Sequence, residues 1–271
     1  MSNTTRQSNA AARERLEALT DNTPVRVVRL AEELAAVTAL LDREVSLRRI
    51  LTDPAQAGEA KVGLVQRLLA GQVGDETLDL VSGMVRSRWS ASRDLVDAVE
   101  ELSSLAEIIG AERSGALDDV EDELFRTARI VASAPDLRAA LSDSRATGTA
   151  KTELVRTLLS GRAHSVTVRL VTRLVALPRG RSLEAGLDAL SKLAAARRGR
   201  VVAVVTTAIP VSDRQKRRLG AALATLYGHP VHLNLDVDPE VLGGISVRVG
   251  DEVIDGTVVG RLEEATRRLA E

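Results

Sequence analysis

One helical block occurs twice in this chain, ninety residues apart, as AKVGLVQRLLAG at 60–71 and AKTELVRTLLSG at 150–161. Setting 51–71 against 141–161 gives ten identities in twenty-one positions without a gap, among them Gly58/Gly148, Lys61/Lys151, Leu68/Leu158 and Gly71/Gly161. The register continues outward through Leu47/Leu137, Arg48/Arg138, Leu80/Leu170, Val81/Val171 and Val85/Val175. A repeat of this length means that one supersecondary unit is made twice, and every other reading of the chain has to accommodate two copies of it.

Each copy reads as helices. Leu154, Val155, Leu158 and Leu159 gather on one helical face, while Lys151, Glu153, Arg156 and Thr157 point elsewhere. Gly58 and Gly148 precede their helices, and Gly71 and Gly161 follow them, where a left-handed cap is cheapest for glycine. DETLDLVSGMVRSRW and SVTVRLVTRLVALP supply another helix per copy, and 29–51 and 119–141 are the helices expected to precede the block. A bundle of several short helices, made twice, is the economical solution.

The last seventy residues change period. VVAVVTTA at 201–208 reads as a buried strand, and Ser212 and Gln215 have capping-box spacing ahead of a helix with Leu219, Leu223 and Leu226 on one face. Val231, Leu233, Leu235 and Val237 then alternate with polar residues. After a turn at Asp238-Pro239 and a bend at Gly243-Gly244, Ile245, Val247 and Val249 alternate again. A final helix is expected to align Val258, Leu262, Ala265 and Leu269. The fold class is therefore mainly α: two tandem helical bundles followed by a small α+β domain, with boundaries at 1–96, 97–198 and 199–271.

Composition narrows the function. The chain has no cysteine, which removes disulfides, thiolate nucleophiles and cysteine-based metal sites. His229 and His232, in HPVH, read as two half-exposed histidines and not as metal ligands. Formal net charge is −1 although 33 of the 37 basic residues are arginine, and one Trp, one Tyr and one Phe leave few rings for stacking on bases. That pattern argues against a nucleic-acid partner. The arginine clusters PRGRS at 178–182 and ARRGR at 196–200 read as solvated loops. No run of about 18 apolar residues and no signal-peptide core is present, so direct membrane insertion is not expected. No phosphate loop, dinucleotide glycine motif, nucleophile elbow or metalloprotease motif occurs, and DDVEDE at 118–123 reads as the acidic first turn of a helix. Neither a catalytic group nor a cofactor is expected.

The stretch LNLDVDPEVLGGISVRVGDEVIDGTVVGRLEEATRRL, 233–269, resembles the C-terminal signature of the delta subunit of the F-type ATP synthase, the bacterial counterpart of the oligomycin-sensitivity-conferring protein. The resemblance rests on Asp238, Gly243, Gly244, Asp255, Gly256 and Thr257, with Thr257 standing where the family usually has serine. Residues from about 97 onward resemble a whole family member, so 1–96 reads as an additional bundle, as in the enlarged forms of high-GC Gram-positive bacteria.

What the resemblance implies is a non-catalytic peripheral-stalk subunit, a stator resisting rotor torque at the cytoplasmic face of the bacterial membrane. The implied partners are the N-terminal helices of the alpha subunits and the b subunits, with beta subunits in the same complex. Val166, Leu170, Arg173 and Leu177 are the candidate groove wall, and Arg261 and Arg268 of the final helix the candidate b-side contacts. An amphipathic partner helix would bury its i, i+3, i+4 and i+7 side chains in such a groove. A second bundle would supply a second grip and raise effective concentration. The rival reading is a generic helical-repeat adaptor, which accounts for the repeat and not for the terminal signature.

Overall fold

The computed structural model describes residues 2–22, 26–199, 201–227, 231–238, 243–249 and 252–255. They fall into two compact units, 1–197 and 198–271, each treated by itself. The described residues of the first are helical, and those of the second form a sheet with one long helix.

In the first unit the helices are α1 (Asn3–Asn22), α2 (Val27–Arg43), α3 (Val45–Thr52), α4 (Gly58–Leu69), α5 (Asp75–Arg86) and α6 (Ser92–Arg113). They continue as α7 (Leu117–Ser133), α8 (Pro135–Ser142), α9 (Gly148–Leu159), α10 (Ser165–Ala176) and α11 (Leu183–Arg198). Adding ninety to both ends of α2, α3, α4 and α5 gives both ends of α7, α8, α9 and α10, residue for residue. The local reasons repeat as well. Gly71 and Gly161 sit at φ 76° and 70° after α4 and α9, the left-handed region that glycine enters without cost. Gly58 and Gly148 open those helices against the ends of α5 and α10, where a Cβ on Gly148 would lie 3.3 Å from the Ala176 carbonyl oxygen.

Each long helix expected at 29–51 and 119–141 is in fact two. In the second copy Pro135 at the start of α8 has no N–H to continue α7. The first copy breaks at Glu44 without a proline, so the corner is set by packing: it turns Leu51, like Leu141, into the core. Arg48 is buried there and donates from Nη1 to the Leu41 and Asp42 carbonyls at 3.1 and 3.2 Å, closing the end of α2. Lys151, expected to point away from the packed face, is 7% exposed, as Lys61 is at 6%, while Leu158, expected on that face, stands at the surface with Leu68. A lysine stem covers apolar surface at little cost if its ammonium reaches water.

The decisive element is α6. Its side chains are buried around most of its circumference: Leu95, Val99, Leu102 and Ile109 belong to the first core, Ile108 and Ala111 to the second. By the same offset α6 is equivalent to α1 in one direction and to α11 in the other. Each bundle therefore has six helices, and α6 is the last of one and the first of the next. The expected boundary at 96/97 falls inside this continuous helix.

Arginines from both sides clamp the acids of α6. Glu107, with a fully buried side chain, receives Arg169 and Arg173 of α10 at 2.7 Å each. The Glu107 hydrogen bond holds the Arg169 guanidinium above its ordinary pKa, so its charge is permanent. Glu112 and Glu17 both meet Arg197, at 2.6 and 3.6 Å. Glu100 receives Arg181 at 2.5 Å and also Arg179, whose backbone takes a positive φ of 51°. The expectation that PRGRS and ARRGR are solvated loops is thus corrected: the Arg179 and Arg197 side chains are 3% and 6% exposed. A guanidinium fork fits a carboxylate with two parallel bonds, which makes arginine the suitable cation for such inward pairs.

The second unit contains β1 (Val201–Thr207), α12 (Asp213–Tyr227), β2 (Val231–Val237), β3 (Ile245–Val249) and β4 (Glu252–Asp255). The sheet order is β2-β1-β3-β4, with β1 parallel to β2 through the α12 crossover and both other pairs antiparallel. Ser212 and Gln215 form the expected capping box, the Ser212 amide donating to Gln215 Oε1 at 3.0 Å. Ala203, Val205, Leu223, Leu233, Val247 and Val249 make the core. Two expectations change. Leu226 is 64% exposed and Tyr227 packs in its place, and EVID forms a further strand, β4, beyond the three that the sequence pattern marks out.

Candidate partner-binding grooves

Two apolar grooves open on the first unit. The larger, about 600 Å³, lies over α6 between α2 on one side and α10 and α11 on the other. Its lining includes Ala35 and Ala39 of α2, Leu174 and Leu177 from the α10 side, and Leu190 and Leu193 of α11. Ser103 of α6 sits at the junction, donating to the Ala31 carbonyl at 2.8 Å and accepting from Arg173 Nη1 at 3.3 Å. The smaller groove, about 280 Å³, runs among α7, α8 and α9 and is lined by Ile130, Leu137, Val155, Leu158 and Leu159, with Arg126 and Arg162 also in its lining.

Of the four residues expected to wall a groove, Leu170, Arg173 and Leu177 line the larger one. Leu170 is almost wholly buried, Arg173 is held by Glu107, and Leu177 is half-buried. Val166 is a core residue of the second bundle, 3% exposed, and lines neither groove. In the second unit Asp238 donates its amide to the Thr207 carbonyl at 2.9 Å, and Gly243 and Gly244 take φ 67° and 89°. These three shape the ends of β1, β2 and β3. Asp255 ends β4, pairing with Ser246. Gly256, Thr257, Arg261 and Arg268 lie outside the described residues, as does His229.

A pair of glutamates escaped the sequence reading. Glu33 accepts from the Gly74 amide at 2.9 Å and the Thr77 hydroxyl at 2.5 Å, latching the start of α5 onto α2. Ninety residues on, Glu123 accepts from the His164 amide, at 2.9 Å to Oε2, and from the Thr167 hydroxyl at 2.6 Å, latching α10 onto α7. Burial alone would raise the Glu33 pKa, but the bonds from Thr77, Gly74 and Arg29 outweigh it and hold the carboxyl below its ordinary value. Both glutamates and both threonines match at the ninety-residue offset, so extending the repeat alignment upstream and downstream would have found them.

Among the described residues, no helix is long and apolar enough to cross a membrane, and no group of three potential ligand side chains could hold a metal ion.

Comparison with known proteins agrees with the terminal signature. Residues 103–269 match the family model described as ATP synthase delta (OSCP) subunit, a span that begins within α6. The ATP synthase subunit delta of Streptomyces griseus is 70% identical over 270 residues, covering 100% of both chains. Its counterpart from Streptomyces coelicolor is 65% identical over 270 residues, covering 100% of this chain and 98% of that one. The Thermobifida fusca protein of the same name is 51% identical over 241 residues, 89% and 90% of the two chains. Helices α1 to α5 thus lie outside the family pattern and inside the full-length relatives. The chain belongs to the ATP synthase delta (OSCP) subunit family.

Proposed function

We propose that the chain is a non-catalytic stator subunit, joining the catalytic head of the F-type ATP synthase to the b subunits of the peripheral stalk and resisting the torque of the rotor. The observation that carries this reading is the family match over 103–269, which takes in the second bundle and the sheet domain together. The helical unit holds N-terminal helices of alpha subunits, and the C-terminal unit holds the ends of the b subunits at the cytoplasmic face of the membrane. An apolar groove of about 600 Å³ walled by helices suits the first task, since an amphipathic helix can bury one stripe in it. Clamped arginines suit the load, because charge-assisted forks resist displacement in fixed directions.

The test is affinity isolation of the full chain from detergent-solubilised membranes of its own organism. Alpha, beta and b subunits should co-purify in fixed proportion, and membranes stripped of the chain should recover coupled ATP synthesis when it is added back. Isolation without the catalytic head, or full coupling in its absence, overturns the reading in favour of a generic adaptor.

A further inference from the structure

The larger groove draws its walls from both copies of the repeat. Ala35, Thr38 and Ala39 come from α2 of the first bundle, whereas Leu174, Leu177, Leu190 and Leu193 come from the second, with α6 beneath. The family pattern begins at residue 103, so the α2 wall lies outside it.

What the groove can hold follows from its charges and its shape. Every charged side chain lining it already has an opposite partner: Arg13 with Glu101, Arg181 with Glu100, Asp97 with Arg179, Arg173 with Glu107, and Lys192 with Asp188. Nothing there calls for an ionic ligand, and the uncovered surface is aliphatic. All the walls are helices, so no strand edge is offered to an extended peptide. Along α11 the lining runs from Gly186 to Ala196, which at about 1.5 Å per residue is roughly 15 Å, or three turns of an apposed helix. Alanines at 35, 39, 189 and 196 let a partner backbone come close on both sides.

We infer that this groove is a composite site: one amphipathic helix of a partner chain lies over α6, gripped on one side by α2 of the first bundle and on the other by α10 and α11 of the second. The partner's stripe is uncharged and aliphatic, spanning about ten residues with anchors at i, i+3 or i+4, and i+7. The added bundle therefore completes a grip that the second bundle begins, and does not act only as a separate attachment. The inference rests on the stator reading for the identity of the partner, the N-terminal helix of an alpha subunit.

The test uses the full chain and the catalytic head purified without it. Ala39→Glu on the α2 wall and Ala189→Glu on the α11 wall should each weaken binding by about tenfold or more, with Ala10→Glu on exposed α1 surface as the unchanged control. Because the chain has no cysteine, Ala39→Cys places a single thiol in the groove, and the head should slow its maleimide labelling about tenfold while leaving an Ala10→Cys thiol unaffected. If Ala189→Glu weakens binding but Ala39→Glu does not, or if the Ala39→Cys thiol labels equally fast with and without the head, the composite site is wrong and the stator reading stands. If the unaltered chain fails to bind the head at all, the stator reading falls and takes the composite site with it.

Discussion

The two bundles share a framework and differ in finish. Helix for helix they coincide at an offset of ninety, with the same left-handed glycines and the same glutamate latch. Yet Leu40 of α2 packs against the first core while its counterpart Ile130 is 55% exposed, and Ala35 is replaced by Phe125, also 55% exposed with Arg129 over its ring. Leu69 is buried where Leu159 is only partly so. The buried carboxylates diverge too: Glu107 holds two arginines closely, and Glu17, its counterpart on α1, meets Arg197 at 3.6 Å. What duplication preserved is what a helix needs in order to start, stop and seat. What changed is how individual side chains are seated, at the surface and around the buried carboxylates alike.

The largest break in that comparison is deletion of residues 1–91. It leaves α6 whole but uncovers Leu95, Val99, Leu102 and Ile109, each contributing about 1.5–3 kcal/mol when buried. The second bundle alone should show a lowered urea midpoint and bind hydrophobic dyes, whereas the separable-domain view requires it to unfold at the same midpoint as in the full chain. Truncation at residue 96 would be worse still, cutting into α6. Next in size is Glu107→Ala, which leaves Arg169 and Arg173 without their buried counter-charge and should cost about 3 kcal/mol in denaturant titration.

The latch gives a smaller, pH-dependent effect. Because the Glu33 pKa is depressed in the fold, its contribution is complete above the ordinary glutamate value of about 4.3 and is lost as pH falls through the lower folded value. Glu33→Gln should therefore destabilise by about 1 kcal/mol at neutral pH and flatten the acid limb of the stability curve there. Gly71→Ala and Gly161→Ala should each cost about 1 kcal/mol for the left-handed backbone alone, as no atom lies within 4 Å of an added Cβ at either site. The smallest effect is at the open face: Ile130→Ser should stay within about 0.5 kcal/mol, and Leu40→Ser should exceed it.

How much was legible in advance follows how local each feature is. Helix ends around α4 and α9 could be read because glycine and the spacing of leucines act within a turn or two. The corners at Glu44 and Ala134 could not be read alike, since one has a proline after it and the other owes its position to the core it turns into. Of the groove wall, the segment was legible and the facing was not: Leu170, Arg173 and Leu177 reach the groove, but Val166 turns into the core, and the opposing wall on α2 was not anticipated.

By itself the sequence determined that a helical unit is made twice, that a strand-rich domain follows, and which family the end of the chain resembles, because period, caps and motifs are written in neighbouring residues. Tertiary structure alone decided that α6 serves both bundles, that arginines in apparent loops turn inward onto its acids, and that one groove takes its walls from both copies. Those outcomes depend on which distant surfaces meet. A helix flanked on two sides and a helix with one apolar stripe differ only in how many neighbours arrive, and that number is set by the fold of the whole unit.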